Sequence, residues 1–392
     1  MRKLFFLLCM TAAAVYAVAA EDIIRAYNRP HGGFVLLDDN SEVVGFSDVG
    51  VLTADNAASL RGLLASSGLE LEIVETAEAV ADDVVIYVMS DSVGPLLGEI
   101  AFNQGYPYNM YAPKDGNKQC VTGCVATAMA QIMAYWRYPA QCTGGRYEYT
   151  ATALNRQLSL NYDTISFNWK NIIPKYGPES NDEQRREIAK LMYACGVSVN
   201  MNYGVSGSGT LSTYVANALD KFFSYRSDIF LENMGSFGND INFISALIDE
   251  LNARHPIYCS ARATDPRFAS YDGGHAFVID GYGWVSETGR QKWNNEPSLS
   301  TQPFIHFNWG WGGTDQIGNR SLWYRITGDK ARAPYSNFEI IRGIVPANYT
   351  DDEQIEQTRS NDGKIYDILG REVKETIPGQ IYISNGKKFF AR

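Results

Sequence analysis

Hydrophobic positions along the chain fall into three regimes. Residues 4–15 form an apolar run behind Arg2 and Lys3 and ahead of the small residues Ala17, Ala19 and Ala20. That order is a signal peptide's, and the run is too short and wrongly flanked for a membrane anchor, so residues 1–20 are set aside from the fold. Between residues 21 and 92 the pattern is mixed. Residues 33–37 and 43–46 read as strands about the polar turn Asp38-Asp-Asn-Ser41, residues 54–69 suit a helix, and residues 84–89 give another strand.

From residue 93 the period changes to that of helices. Ala126, Ala128, Met129, Ala130 and Met133 follow the punctuation Thr122-Gly123, which predicts a helix opening at about Cys124 and closed by Pro139. Ile188, Leu191, Met192 and Cys195 recur at helical spacing and predict a second helix over residues 182–195. The glycines of Met201-Asn-Tyr-Gly-Val-Ser-Gly-Ser-Gly209 predict a tight, exposed loop. Residues 256–259, 275–279, 304–308 and 322–326 are short strand-like runs between turn residues. After residue 349 a polar, acidic linker leads to two further runs, 364–371 and 381–388, that read as a strand pair. The fold class is therefore α+β: a helical half, then a sheet half, with a small α+β module before them and a β tail behind.

Composition narrows the function classes. The 392 residues allow two to three folding units and a sizeable core. The formal charge of −10, near −12 once Arg2 and Lys3 leave with the signal peptide, argues against nucleic acid and anionic membrane as partners. No later apolar run reaches spanning length, so no stable membrane insertion is expected and the mature protein should be secreted or held at the cell surface. Five cysteines remain after Cys9, at 120, 124, 142, 195 and 259, an odd number for an oxidising compartment. With Cys124 kept free, the other four allow three pairings. Their irregular spacing defines no framework, and buried free thiols are the simpler reading. A Cys120–Cys124 bond would silence the thiol and so offers a redox switch. Zinc-ligand spacing and phosphate-cradling glycine loops are absent from the sequence, which implies no metal and no cofactor.

The candidate chemistry sits at residues 119–124. A thiol in the first turn of a helix lies beside unpaired backbone N–H groups and the positive end of the dipole, both of which favour the thiolate. Gln119, five residues upstream, is close enough for its amide to join the Cys124 N–H in binding an oxyanion. A base must come from elsewhere. His255 precedes Pro256 at an apparent turn and reads as a surface residue. His275 opens a strand directly after Gly273 and Gly274, where missing side chains leave room for a substrate backbone. His306 shares a strand face with Asn308 and is a weaker rival. Asp280 alternates to the face opposite His275 and is left out of the reacting set.

Four blocks carry a resemblance: Thr122-Gly-Cys-Val-Ala-Thr-Ala128 with Ala130-Gln-Ile-Met-Ala-Tyr135, Met201-Asn-Tyr-Gly204, Gly273-Gly-His-Ala-Phe-Val-Ile-Asp-Gly281 and Asn308-Trp-Gly-Trp-Gly-Gly313. In that order they resemble the streptopain family of secreted, papain-clan cysteine peptidases, over roughly residues 93–345. The resemblance implies a papain-like fold with a cleft between a Cys-bearing helical half and a His-bearing antiparallel sheet half. It implies Cys124 as nucleophile, His275 as proton shuttle, Asn308 orienting the imidazole through its side-chain oxygen, and Trp309 shielding that bond. Trp311 reads as packing. Gly274, Trp309 and Ser206 are the substrate-side candidates, with polypeptides as substrates and a bulky apolar residue preferred two positions before the scissile bond. Residues 287–302 read as an inserted loop at the cleft rim. The organisation implied is a signal peptide over 1–20, an inhibitory propeptide over 21–92 removed by cleavage near residues 80–95, a peptidase domain over 93–348, and a linker with β tail over 349–392. The tail resembles the end of a type IX secretion sorting domain, which makes that machinery a partner. Two rivals use the same sequence: a Cys–His acyltransferase, and a catalytically silent surface protein that binds polypeptides.

Overall fold

The computed structural model describes residues 22–28, 33–39, 43–47, 51–54, 57, 60, 61, 64, 69–74, 86–263, 274–290, 297–312, 323–324, 335–350 and the tail strands 365–367, 372–373, 381–384 and 387–390. The signal-peptide stretch, most of the helix expected over 54–69 and the linker after residue 350 lie outside the described residues.

Four α-helices stand among them. Helix α1, Cys124–Trp136, starts at Gly123 and ends where Arg137 turns left-handed (φ 49°), two residues before Pro139. Residues 125–133 are all buried, as suits a helix that is apolar on every side. Helix α2, Asp182–Ser198, carries a capping box in which the side chains of Asn181 and Gln184 satisfy each other's backbone N–H groups. It packs on α1, with Cys195 Sγ 3.6 Å from Met133 Sδ. Helices α3, Val215–Phe223, and α4, Asp240–Asn252, complete the set.

An eleven-stranded sheet forms the other half. Strands β1 (Asp22–Asn28), β2 (Phe34–Leu37), β3 (Val43–Ser47), β4 (Leu69–Val74) and β5 (Ile86–Val93) come from the N-terminal module. After two short hairpins, β6 (Lys114–Asp115) with β7 (Lys118–Gln119) and β8 (Arg146–Ala151) with β9 (Arg156–Asn161), the sheet resumes. It takes in β10 (Glu232–Asn233), β11 (Ile257–Ala263), β12 (Gly274–Arg290), β13 (Pro297–Asn308), β14 (Trp323–Tyr324) and β15 (Tyr335–Ile341). Strand β12 is its spine: the first half pairs with β11, the second with β5, and β13 runs antiparallel beside it. Of the stretch read as an inserted loop, residues 291–296 lie outside the described residues and the rest is a paired extension of two long strands, with Val285 opposite Gln302 and Arg290 opposite Pro297. Alternation there is too polar to announce a strand.

Two cores result. One lies around α1, α2 and α3. The other joins α4, one sheet face and apolar residues of the N-terminal module, among them Ile24, Phe34, Leu36 and Leu71. Strand β3 pairs with β14, so this module continues the sheet. The tail forms a separate four-stranded sheet from β16 (Ile365–Asp367), β17 (Glu372–Val373), β18 (Ile381–Ser384) and β19 (Lys387–Phe390).

Candidate active site

Cys124 is the first residue of α1. The turn before it is braced from both sides: Thr127 Oγ1 donates to the Gly123 carbonyl at 3.0 Å and lies 3.1 Å from Thr122 Oγ1. Gly123 has φ +89°, and a Cβ there would stand 2.6 Å from Met201 Sδ, so only glycine fits. The backbone N–H groups of Ala276, Val125 and Cys124 itself lie near enough to the sulfur to favour its charged form, which puts it close to β12, one residue from His275. Burial nevertheless pushes the Cys124 thiol up, against the lowering by those amides. The thiolate expected from the helix start alone is outweighed.

His275 is 9% exposed. Its Nε2–H donates to the Trp309 carbonyl at 2.8 Å, which fixes the tautomer with its lone pair on Nδ1. Rings enclose the imidazole: Trp311 at 5.2 Å between centroids, with Phe277 and Trp309 at 6.0 Å. Trp311, read as packing, is the nearest of the three. Burial lowers His275 to about 4, with the Trp309 carbonyl pulling the other way. Burial thus acts against the charged form of both groups.

Asn308 is placed differently from its expected role. Its Nδ2 donates to the Ile100 carbonyl at 2.9 Å and its Oδ1 accepts from the Gly310 N–H at 3.3 Å. The acceptor on His275 Nε2 is the neighbouring backbone carbonyl, and the asparagine shapes the turn that presents it. Gln119 donates its amide hydrogens to the carbonyls of Asn109 (3.0 Å) and Ala112, which ties the loop ahead of the nucleophile and turns both hydrogens away from an oxyanion role in this form. Trp309 is buried, Gly274 is exposed at the start of β12, and Ser206 is exposed in its loop. Two residues on, Ser208 does the tying, donating to the Val121 carbonyl at 2.7 Å.

The other histidines are accounted for. His255 is half-buried rather than on the surface, 3.2 Å from Glu250 Oε2. His306 is fully buried and bound to Asp280, with Nδ1 and Oδ1 2.6 Å apart. All five described cysteines are free, and Cys120 is wholly buried in the helical core. Among the described residues no group of His, Cys, Asp and Glu is arranged to hold a metal ion, and no helix is long and apolar enough to cross a membrane.

Sequence reasoning missed the backbone carbonyl on His275 and the Asp280–His306 pair. A carbonyl leaves no trace in residue types. The pair depends on an irregularity in strand register that hydrophobic alternation does not announce.

Comparison with known proteins gives the family and the fold. Residues 102–317 match the family model described as the Peptidase C10 family. Streptopain of Streptococcus pyogenes serotype M1 is 31% identical over 314 residues, covering 73% of this chain and 71% of streptopain. The thiol protease/hemagglutinin PrtT of Porphyromonas gingivalis is 29% identical over 360 residues, which are 84% of this chain and 37% of PrtT. Among solved structures, active wild-type interpain A of Prevotella intermedia, a cysteine protease, superposes with a TM-score of 0.53 at 26% identity, covering 65% of this chain and 96% of interpain A. A prointerpain A fragment from the same species gives a TM-score of 0.55 at 22% identity, over 82% of this chain and 98% of the fragment, a likeness of fold. A papain-like fold, a match to streptopain at 31% identity and a family match over more than half of the sequence make this chain a cysteine peptidase of the Peptidase C10 family.

Proposed function

We propose that the chain is the zymogen of an exported cysteine endopeptidase, with residues 21 to about 85 as its propeptide and polypeptides as its substrates. The observation that carries this is the Cys124 sulfur lying against the Ala276 amide while the Trp309 carbonyl holds the adjacent His275 with Nδ1 as its basic nitrogen. In the reaction Nδ1 takes the Sγ proton and the thiolate attacks the scissile carbonyl. The resulting oxyanion is met by the Cys124 N–H, joined by Gln119 once its amide exchanges a carbonyl partner for substrate. Nδ1–H then protonates the leaving amine, and water, deprotonated by the same nitrogen, releases the acyl group. Burial that disfavours the charged form of both groups suits a precursor in which ion-pair formation waits for a change in burial.

Within the expected window we expect maturation upstream of Ile86, so that residues 86–92 stay with the mature enzyme. The expected window of residues 80–95 overlaps β5, whose backbone is paired with β12, and a peptidase needs an extended, unpaired segment. The β tail is assigned to sorting for type IX export. An epoxide inhibitor of papain-like enzymes tests the whole reading. Wild type should be labelled on Cys124 and should hydrolyse casein, while Cys124→Ala should do neither and should not shorten itself. Unlabelled, inactive wild type after removal of residues 21–85 would end it.

A further inference from the structure

The chain just downstream of that cleavage window crosses both halves of the site. Leu96 N–H donates to the Asp280 carbonyl at 2.7 Å and Leu97 N–H to the Asp280 carboxylate at 3.2 Å. The Ile100 carbonyl receives Asn308 Nδ2 at 2.9 Å. Phe102 N–H reaches Gln131 Oε1 of α1 at 3.4 Å, and the Phe102 carbonyl takes the Gly312 N–H at 2.8 Å. Finally the Gln104 carbonyl accepts from Thr122 N–H at 3.0 Å, two residues before the nucleophile. Residues 94–104 therefore touch, in order, the strand of His275, the turn that carries the Trp309 carbonyl, the nucleophile helix and the loop leading into it.

The first anchor of this strap is built with care. Register between β12 and β13 slips between Ile279 and Gly281: Ile279 faces Phe307 and Gly281 faces His306, which leaves Asp280 as the extra residue of a bulge. A bulge re-aims a side chain without ending the strand. Here it turns a wholly buried carboxylate onto His306 Nδ1, two residues before Asn308, and onto the strap. Trp323 lies edge-on against the His306 ring at 5.0 Å. His306 Nε2 has no hydrogen-bond partner among the described residues, so its one polar attachment is to Asp280. Gly94 permits the approach, since a Cβ there would lie 2.3 Å from the Asp280 carbonyl oxygen.

The geometry points to Asp280 and His306 as a positioning pair that anchors residues 94–104 across the cleft halves and so keeps the Trp309 carbonyl on His275 and α1 against it. Neither residue touches the reacting atoms. The inference rests on the peptidase reading, and it adds a requirement: the mature N-terminus must lie before Gly94, or the strap is lost.

The test compares Asp280→Asn, His306→Leu, His306→Asn and Gly94→Ala in the full-length chain, allowed to mature. Thermal unfolding, kcat and KM on a peptide substrate, and the alkylation rate of Cys124 are followed. In His306→Asn the amide nitrogen stands where Nδ1 stood, so this variant should keep kcat within about threefold of wild type. His306→Leu and Asp280→Asn should remain folded with kcat down tenfold or more, KM within twofold and slower alkylation. Gly94→Ala, which leaves the pair itself intact, should follow them. Folded variants with unchanged kcat overturn the proposal. So does loss of folding in all three of Asp280→Asn, His306→Leu and Gly94→Ala, which would make the pair a core element only, and so does a mature N-terminus found beyond Gly94. A wild type that neither cleaves nor labels would instead bring down the peptidase reading and this inference with it, an outcome distinguishable because it appears before any variant is made.

Discussion

At the proposed reacting centre the His275 imidazole is held by a main-chain carbonyl, and that changes what mutation should do. His275→Ala removes the proton shuttle and should lower kcat by at least about 10³-fold. Asn308→Ala leaves the Trp309 carbonyl in the chain and loses the ties to Ile100 and Gly310, so a fall of only about tenfold in kcat is expected, with KM little changed. A loss as deep as that of His275→Ala would show that the side chain orients the ring directly. Burial of His275 also makes a stability prediction. Its folded pKa of about 4 lies below the ordinary 6.5, so between those values the unfolded chain binds the extra proton and stability rises with pH. The contribution is fully present above pH 6.5 and lost as the pH falls towards 4. It amounts to about 2–3 kcal/mol between pH 7.5 and 4.5. Denaturant unfolding of Cys124→Ala at those two pH values, with and without His275→Gln, measures it: the glutamine variant should show a smaller difference by that amount.

Elements differ in how openly the sequence states them, and the difference follows from where their signals lie. Helix α1 and helix α2 are legible because caps and apolar spacing are local: Gly123 and Pro139 bracket the first, and Asn181 with Gln184 opens the second. The strands carrying His275 and Asn308 are legible as apolar runs bounded by turn residues. Helices α3 and α4 went unread, although Ala218, Leu219, Phe222 and Phe223 of α3 are buried at helical spacing. The β12–β13 extension and the Asp280 bulge were illegible because they are set by pairing with distant strands, and no single strand's composition carries a register slip. Of the candidate site, the place of Cys124 at a helix start and of His275 on a strand was readable. The role given to Asn308 was displaced one peptide unit along the chain, onto an atom every residue possesses. Local strain at the nucleophile turn is testable at this scale. Gly123→Ala forces a left-handed φ on alanine and drives its Cβ into Met201, at a cost of about 1–3 kcal/mol. A lowered melting temperature with slower alkylation of Cys124 is expected. Wild-type values for both would mean that the loop holding Met201 gives way freely.

Across the whole molecule, the N-terminal module is joined to the catalytic half by sheet and by aromatic packing, and its release must break both. Strand β3 pairs with β14 through Phe46 opposite Trp323 and Gly45 opposite Tyr324. Phe46, 3% exposed, stacks on Trp323 at 6.1 Å between centroids and tilts against Phe304 at 5.5 Å. Trp323 in turn lies on His306, so the hold on the proposed propeptide and the anchor of residues 94–104 share one aromatic wall. Truncating a buried phenylalanine removes on the order of 3 kcal/mol, about 10²-fold in the hold on the module. Phe46→Ala should therefore mature faster and show more activity before processing than wild type. Arg25→Ala, which removes solvent-facing ion pairs to Asp39 and Glu72 within the module, should change neither. The two variants are compared by the half-time of the mass shift and by initial hydrolysis of a peptide substrate in the uncut chain. Equal half-times and equal initial rates for Phe46→Ala and wild type would show that β-pairing alone retains the propeptide and that the aromatic wall belongs only to the fold of the mature enzyme.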